Sequence, residues 1–311
     1  MTYPFLSEIP PHCPQALLDH AKSAKTPRVA LVNAGAENPL SGMREATEAG
    51  LAEPILIGDP VKIAQVAEEI DWDISQFRVI DAPHAAAASE AARLAREGEA
   101  DAIMKGQIHT STFLKGLLPS SAGLREKSGR CGHVFHITLP HSDRPMFLTD
   151  AALNVDPDVE TRKACLAHAV SLARKLGVER PKAGILSPTE DVVETIPNTV
   201  EAREISDWAK QALAHAIVQG PMAMDLILSA EAARVKNFES EVSGDADIIC
   251  VPNITSGNAL FKLMVLSQGA CAAGLVLGCK VPLLLTSRSQ EAAARLASAA
   301  LGVVAATQEP A

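Results

Sequence analysis

The sequence predicts an α/β protein of two lobes, each built on a parallel or mixed sheet covered by helices. Three observations predict it. Apolar runs of strand length alternate with longer Ala-rich segments of helical period along most of the chain, the pattern of parallel strands joined by helices. That alternation lapses between Thr110 and Asn154, where Gly, Pro, Ser and His crowd together, and the first crossing between lobes is expected there. The 311 residues are 47% hydrophobic and 21% charged, enough apolar material for a large core and too little charge for a disordered chain.

Each element follows from its own run. A strand is predicted over 28–32 (Arg-Val-Ala-Leu-Val), then a loop over 33–37, a helix over 41–50 ending at Gly50, and a strand over 54–58. A helix over 61–70, a strand over 77–80, a helix over 85–97 and a strand over 102–104 continue the alternation. After the irregular stretch come a helix over 158–176, a strand over 182–186 and a helix over 201–216. The last block reads strand 247–251, helix 258–267, strands 273–277 and 281–285, and helix 290–301.

Bulk properties exclude several functions. A formal net charge of −9 opposes general binding to nucleic acid, whose phosphates demand a basic face. Anionic small molecules would need local basic groups set against that background. Six cysteines (Cys13, Cys131, Cys165, Cys250, Cys271, Cys279) are scattered without a Cys-x-x-Cys pair, as in a reduced cytosolic protein. The first residues lack the basic and apolar regions of a signal peptide. The most apolar stretch, 270–285, is interrupted by Gly274, Gly278, Lys280 and Pro282, so no membrane span is expected. A soluble, cytoplasmic protein is the expectation.

Chemistry in such a fold gathers outside the carboxyl ends of strands, where helix N-termini present free amides. Four segments take that position: Met104 to Thr112, Leu148 to Asn154, Pro252 to Asn258, and Leu285 to Ser289. In the last, Thr286, Ser287 and Arg288 stand between a strand and a helix, where a guanidinium can fork onto phosphate oxygens. Ser287 with Gln290 equally fits a capping box that needs no ligand. Lys105 and Gly106 end a strand just before His109, Thr110 and Thr112, and Gly permits close backbone approach to a ligand. A solvated lysine beside a turn is the plainer alternative. Lys262 is expected one turn into a helix, on the face of Asn258 at i, i+4; an exposed surface lysine is the other reading. His133, His136 and His141 crowd together without metal-ligand spacing. No GxGxxG, Walker A, GxSxG or HExxH pattern occurs.

Taken in order, these loops resemble the phosphate acetyl/butyryltransferase family. The resemblance rests on Met104-Lys105-Gly106 with 110–115 (Thr-Ser-Thr-Phe-Leu-Lys), Gly123-Leu124-Arg125 and 148–154 (Leu-Thr-Asp-Ala-Ala-Leu-Asn). It continues through 220–225 (Gly-Pro-Met-Ala-Met-Asp), 243–247 (Ser-Gly-Asp-Ala-Asp), 257–262 (Gly-Asn-Ala-Leu-Phe-Lys) and 281–288 (Val-Pro-Leu-Leu-Leu-Thr-Ser-Arg). It implies a fold like that of isocitrate and isopropylmalate dehydrogenases, with lobes of 1–135 plus 274–311 and of 136–273, an active cleft between them, and a homodimer. The implied activity moves an acetyl or other short acyl group between coenzyme A and inorganic phosphate, with acyl-CoA as substrate and no tightly bound cofactor. Ser287, Arg288 and Lys262 are then the catalytic residues; Lys105, Gly106, His109, Thr110, Thr112, Asp150, Asn154, Asn258 and Thr286 bind substrate.

The resemblance has one departure. Acetyl-type members carry an Asp seven residues after that Ser as the proposed base for the thiol, and here the position is Ala294. Glu291, His109 and Asp150 are the replacements considered. Alternatives are a butyryl-preferring enzyme, a non-catalytic acyl-CoA or acyl-phosphate sensor, and a metal- and NAD-dependent dehydrogenase using Asp225, Asp245 and Asp247.

Overall fold

The computed structural model describes residues 3–125, 129–285 and 292–307. They fall into two compact units, the described parts of Pro11–Gly129 with Ala273–Gln308, and of Met1–Pro10 with Arg130–Ala272. The first ten residues group with the central portion of the chain.

In the first unit α1 (Gln15–Lys22) leads to β1 (Arg28–Val32), α2 (Glu37–Glu48), β2 (Glu53–Gly58), α3 (Pro60–Glu69), β3 (Arg78–Asp81), α4 (Ala87–Arg96), β4 (Ala102–Lys105) and α5 (Thr110–Leu117). α2 begins four residues before the expected 41, because Pro39 falls in its first turn, where the missing N–H is not needed. α3 starts where Asp59 accepts hydrogen bonds from the Val61 and Lys62 amides, with Pro60 at its first position.

In the second unit the stretch expected to be irregular holds β5 (Gly132–Thr138) and β6 (Met146–Thr149), paired antiparallel. Every residue of β5 is buried, and its two histidines disguise an otherwise apolar strand. Then follow α6 (Val159–Lys175), β7 (Lys182–Leu186), α7 (Pro197–Ala212), β8 (Ile217–Met222), α8 (Met224–Leu228), α9 (Ala230–Val235), β9 (Ile248–Cys250) and α10 (Ile254–Gln268). β8 was not predicted. α7 starts earlier than expected, at Pro197, and ends at Ala212, and 217–222 pairs with β7. α10 starts four residues before 258, at the Asn253 cap that accepts from the Ser256 amide, and stops at Gly269 with φ +67°.

The chain then returns to the first unit through β10 (Cys271–Leu277), β11 (Leu283–Leu284) and α11 (Ala292–Ala306). Strand order in the first unit is β3-β2-β1-β4-β11-β10, and in the second β5-β6-β9-β7-β8. All described pairs within each are parallel except β10–β11 and β5–β6. The mixed sheets agree with the expectation of parallel or mixed strands. Among the described residues no helix is long and apolar enough to cross a membrane, and none of the six cysteines forms a disulfide.

Register places the strand ends that matter. Val32 lies opposite Ile57 and Lys105, and Leu284 opposite Met104, so β1, β2, β4 and β11 end together. There Gly106 meets the end of β1 with no room to spare. A Cβ on Gly106 would stand 2.3 Å from the Val32 carbonyl oxygen and 2.6 Å from that of Asn33. Both obstacles are backbone.

His133 and His136 sit three apart on β5 and so point to opposite faces of the sheet. His133 packs edge-on against Phe135 and His136 against Phe147. Burial pushes both imidazoles down to about 4.

Two predictions follow from this architecture. The unfolded chain binds protons at these histidines near pH 6.5 and the folded chain does not, so the stability they contribute is present above pH 6.5 and lost as pH falls toward 4. Each accounts for about 3 kcal/mol across that window. Urea titrations from pH 7.5 to 4.5 should show the loss, and His136→Gln should remove about half of it; a wild-type slope in the variant would contradict the assignment. Second, Gly106→Ala should lower unfolding free energy by about 3 kcal/mol, read from urea midpoints, whereas an unshifted midpoint would mean that β1 and β4 part easily.

Candidate active site

The site residues of the first unit lie on one segment. Lys105 closes β4 and is buried, its Nζ 3.4 Å from the Gly106 carbonyl oxygen. Gly106 donates its N–H to the Val32 carbonyl, and its own carbonyl accepts from Ile108. Its backbone is therefore engaged within the protein, and the absent Cβ serves the neighbouring strand. That corrects the expectation that this glycine opens the backbone to a ligand.

The candidate anion-binding groups stand three residues on. His109 is the N-cap of α5 and makes no side-chain cap bond. The first backbone bond that closes the helix runs from the Phe113 amide to the His109 carbonyl. Amides of Thr110, Ser111 and Thr112 point out of the helix, and His109 and all three hydroxyl residues are exposed. A helix N-terminus with three amides and three hydroxyls suits a tetrahedral oxyanion. Ser111 was not among the predicted residues, although its place in the same turn marks it.

A groove of about 670 Å³ runs between the end of β3, α4 and the C-terminal half of α5, lined by Asp81, Pro83, Ser89, Arg96 and Lys115 among others. Gly116 lets α5 lie against α4, since a Cβ there would stand 2.6 Å from that of Ala88. Arg96 donates from Nη1 to the Ala122 carbonyl. Arg125, in the expected Gly-Leu-Arg motif, braces its own loop by donating to the Leu118 and Gly129 carbonyls.

In the second unit the centre is Asp150, one residue past β6 and 3% exposed. Its Oδ1 accepts from the Ala152 and Leu153 amides, both at 2.9 Å. Its Oδ2 accepts from the His133 amide (3.1 Å), the Asn154 amide (3.3 Å) and Asn154 Nδ2 (2.7 Å). Five N–H donors already engage this carboxylate, and the Cys165 thiol donates to Oδ2 at 3.9 Å. Asp150 is thus a tie for the 150–154 turn, which corrects its candidacy as base. Asn154 completes the tie, its Nδ2 also donating to the Cys131 carbonyl.

α10 rests on this turn. Gly257 is its one buried residue, and a Cβ there would lie 2.8 Å from the Cα of Ala151. Asn258 Nδ2 donates to the Ala151 carbonyl at 3.5 Å. Phe261 stacks on Phe135 with centroids 4.1 Å apart and planes 6° apart, which fixes how α10 is rotated. Lys262 is exposed, a turn beyond Asn258 and two turns into the helix instead of the expected one.

Thr286, Ser287, Arg288 and Glu291 lie outside the described residues. Ala294, the position of the missing Asp, is buried in α11. The carboxylates considered for a metal are each bound to a cation. Asp225 meets Lys236 at 3.1 Å, Asp247 meets Arg144 at 2.6 Å, and Asp245 is shared by Lys182 and Arg144, which hold it below the usual carboxylate range. Among the described residues no group of three or more His, Cys, Asp or Glu is placed to hold a metal ion.

Residues 83–303 match the family described as phosphate acetyl/butaryl transferase. The chain is 38% identical over 287 residues to a phosphate acetyltransferase of Rhizobium meliloti, covering 91% of this chain and 90% of that one. It is 33% identical over 288 residues to a phosphate butyryltransferase of Clostridium acetobutylicum, covering 92% and 95%. The fold is similar to a branched-chain phosphotransacylase from Enterococcus faecalis V583, with a TM-score of 0.78 at 29% identity over 90% of this chain and 99% of that one. By these matches, spread over nearly its whole length, the chain belongs to the phosphate acetyl/butyryltransferase family.

Proposed function

We propose that the protein is an acyltransferase that interconverts acetyl-CoA plus phosphate with acetyl phosphate plus CoA. The observation that carries the reading is the open first turn of α5, an uncapped set of amides and hydroxyls beside a buried lysine, in a chain of this family. Phosphate, or the phosphoryl end of acyl phosphate, binds there and to Arg288. His109, exposed at that turn, takes the proton from the CoA thiol, which is mostly protonated at neutral pH. The thiolate sulfur attacks the acyl carbonyl, the C–S bond forms, the C–O bond to phosphate breaks, and inorganic phosphate leaves. Ser287 stabilises charge that develops on the carbonyl and leaving oxygens.

The nucleotide end of CoA fits the groove between α4 and α5. Its volume suits a ligand of that size. Lys115 lies five residues beyond Thr110 on α5, about 7.5 Å along the axis, within reach of the pantetheine arm. CoA comes and goes as a substrate. The dehydrogenase-like fold, a cytoplasmic location and a homodimer belong to the same proposal; Leu263 and Leu266, more than half exposed on α10, supply the apolar face that a second copy would cover.

The decisive assay is release of free thiol from acetyl-, propionyl- and butyryl-CoA, with and without phosphate and EDTA. Release that requires phosphate and ignores EDTA is expected, fastest with acetyl-CoA; preference for butyryl-CoA would make it the butyryl-type enzyme, and no release would sink the reading. Arg288→Ala should lower turnover about 10²- to 10³-fold with an unchanged melting temperature. His109→Asn should lower it at least about 10²-fold, while unchanged turnover would transfer the base role elsewhere.

A further inference from the structure

The first residues of the chain group with the second unit, and the end of α10 holds them there. The Ser7 amide donates to the Leu266 carbonyl at 2.8 Å. Gly269, the left-handed residue that stops α10, makes room for the segment. A Cβ on it would stand 2.6 Å from the Ile9 carbonyl oxygen and 2.8 Å from Ser7 Oγ. Ser7 Oγ accepts from the Ile9 amide, and the Leu6 amide donates to the Tyr3 carbonyl. Residues 3–9 are therefore an ordered arm with turns of its own, stiffened by Pro4 and by Pro10 behind it.

The arm is docked by its backbone, while its large side chains stay in water. Tyr3 and Phe5 pack on each other with centroids 5.5 Å apart. On α10, Leu263 and Leu266 lie one turn apart, beside the point where Ser7 is pinned. These four, with Leu6 and Ile9, are each between 42% and 68% exposed. Together they present several hundred Å² of apolar surface, the size that marks an interaction site. That is a large share of the roughly 800 Å² each partner gives to a standard interface. A single exposed leucine means little; six large apolar side chains around one helix end mark a surface that another body covers.

Charge selects that body. Residues 3–10 carry one acidic side chain, Glu8, and α10 carries one basic side chain, Lys262. The patch is thus neutral on a chain of net charge −9. An anionic membrane would need an excess of Lys and Arg here. A second copy brings an equally neutral and apolar surface, and a two-fold axis lets one patch meet itself. We propose that the 3–10 arm and the Leu263–Leu266 face of α10 form one self-complementary interface between two copies of the chain, anchored by Tyr3 and Phe5. Aromatic anchors suit such a contact, and an arm ordered before association loses less entropy on pairing. The inference deepens the acyl-transfer reading above and rests on it for the pairing itself.

The test is sedimentation equilibrium of the full chain over a range of concentrations, beside the thiol-release assay. Thiol release judges the acyl-transfer reading and sedimentation judges the interface, so each can fail alone. Wild type should sediment as a dimer. Tyr3→Ser combined with Phe5→Ser should raise the dimer dissociation constant at least about 30-fold, the effect of losing one interface hot spot, and Leu266→Ser should do likewise. Ser7→Pro removes the amide that pins the arm and keeps every apolar side chain, so weaker pairing is expected from it too. Val61→Ser, an exposed apolar position on α3, should pair as wild type does. A monomeric wild type, or a dimer indifferent to the Tyr3 and Phe5 substitutions, would overturn the proposal. So would a monomer that co-sediments with phosphatidylcholine vesicles through Phe5, which would assign the patch to a lipid surface. Should Leu266→Ser fail to fold, the arm substitutions alone decide, because they leave the helix intact.

Discussion

Five donors converge on one buried carboxylate, and the arrangement of the second unit's candidate site depends on that convergence. Asp150 closes the 150–154 turn on itself through three amides and a side-chain amide, and ties it to β5 through the His133 amide. α10 then has no freedom of its own. It contacts the turn at Gly257 without space for a methyl group, donates to Ala151 from Asn258, and is held in rotation by the Phe135–Phe261 stack. Lys262 inherits its place from those contacts. Such a residue is first fixed by groups that never touch substrate.

The first unit reaches a comparable end by different means. Its candidate anion-binding turn is placed by strand register, which brings β1, β4 and β11 to a common edge, and by Gly106, whose missing side chain lets the β4 exit run against the β1 backbone. Two amides in that crossing, those of Gly106 and Gln107, are used by Val32 and Asn33. The amides left for a ligand are those beyond them, at the start of α5. Rigid backbone contact aims the turn, and exposed hydroxyls decorate it.

Strands 28–32 and 182–186 were legible to the residue, because continuous apolar runs bounded by polar residues leave few choices. β5 was not, since His133 and His136 read as polar although burial keeps them neutral within an apolar strand. β8 was hidden because helical period carried on past Ala212, where strand pairing with β7 wins over local propensity. At the site, the 104–112 and 148–154 segments hold two residues whose surroundings the sequence does not show. Gly106 and Asp150 look like ligand groups from their positions, yet both are consumed by contacts within the fold, and only coordinates reveal where a carboxylate's lone pairs go.

The charge balance constrains how such a site works. The chain carries a formal net charge of −9, while both proposed substrates are anions, so the field of the whole protein repels what the site must bind. Steering from a distance therefore contributes little, and affinity has to come from groups that act within a few ångströms. Free helix amides suit this, because they present partial positive charge without adding a titratable group. Lys105, buried at the end of β4, suits it for a different reason, since a charge in a low-dielectric setting attracts an approaching anion more strongly than one in water.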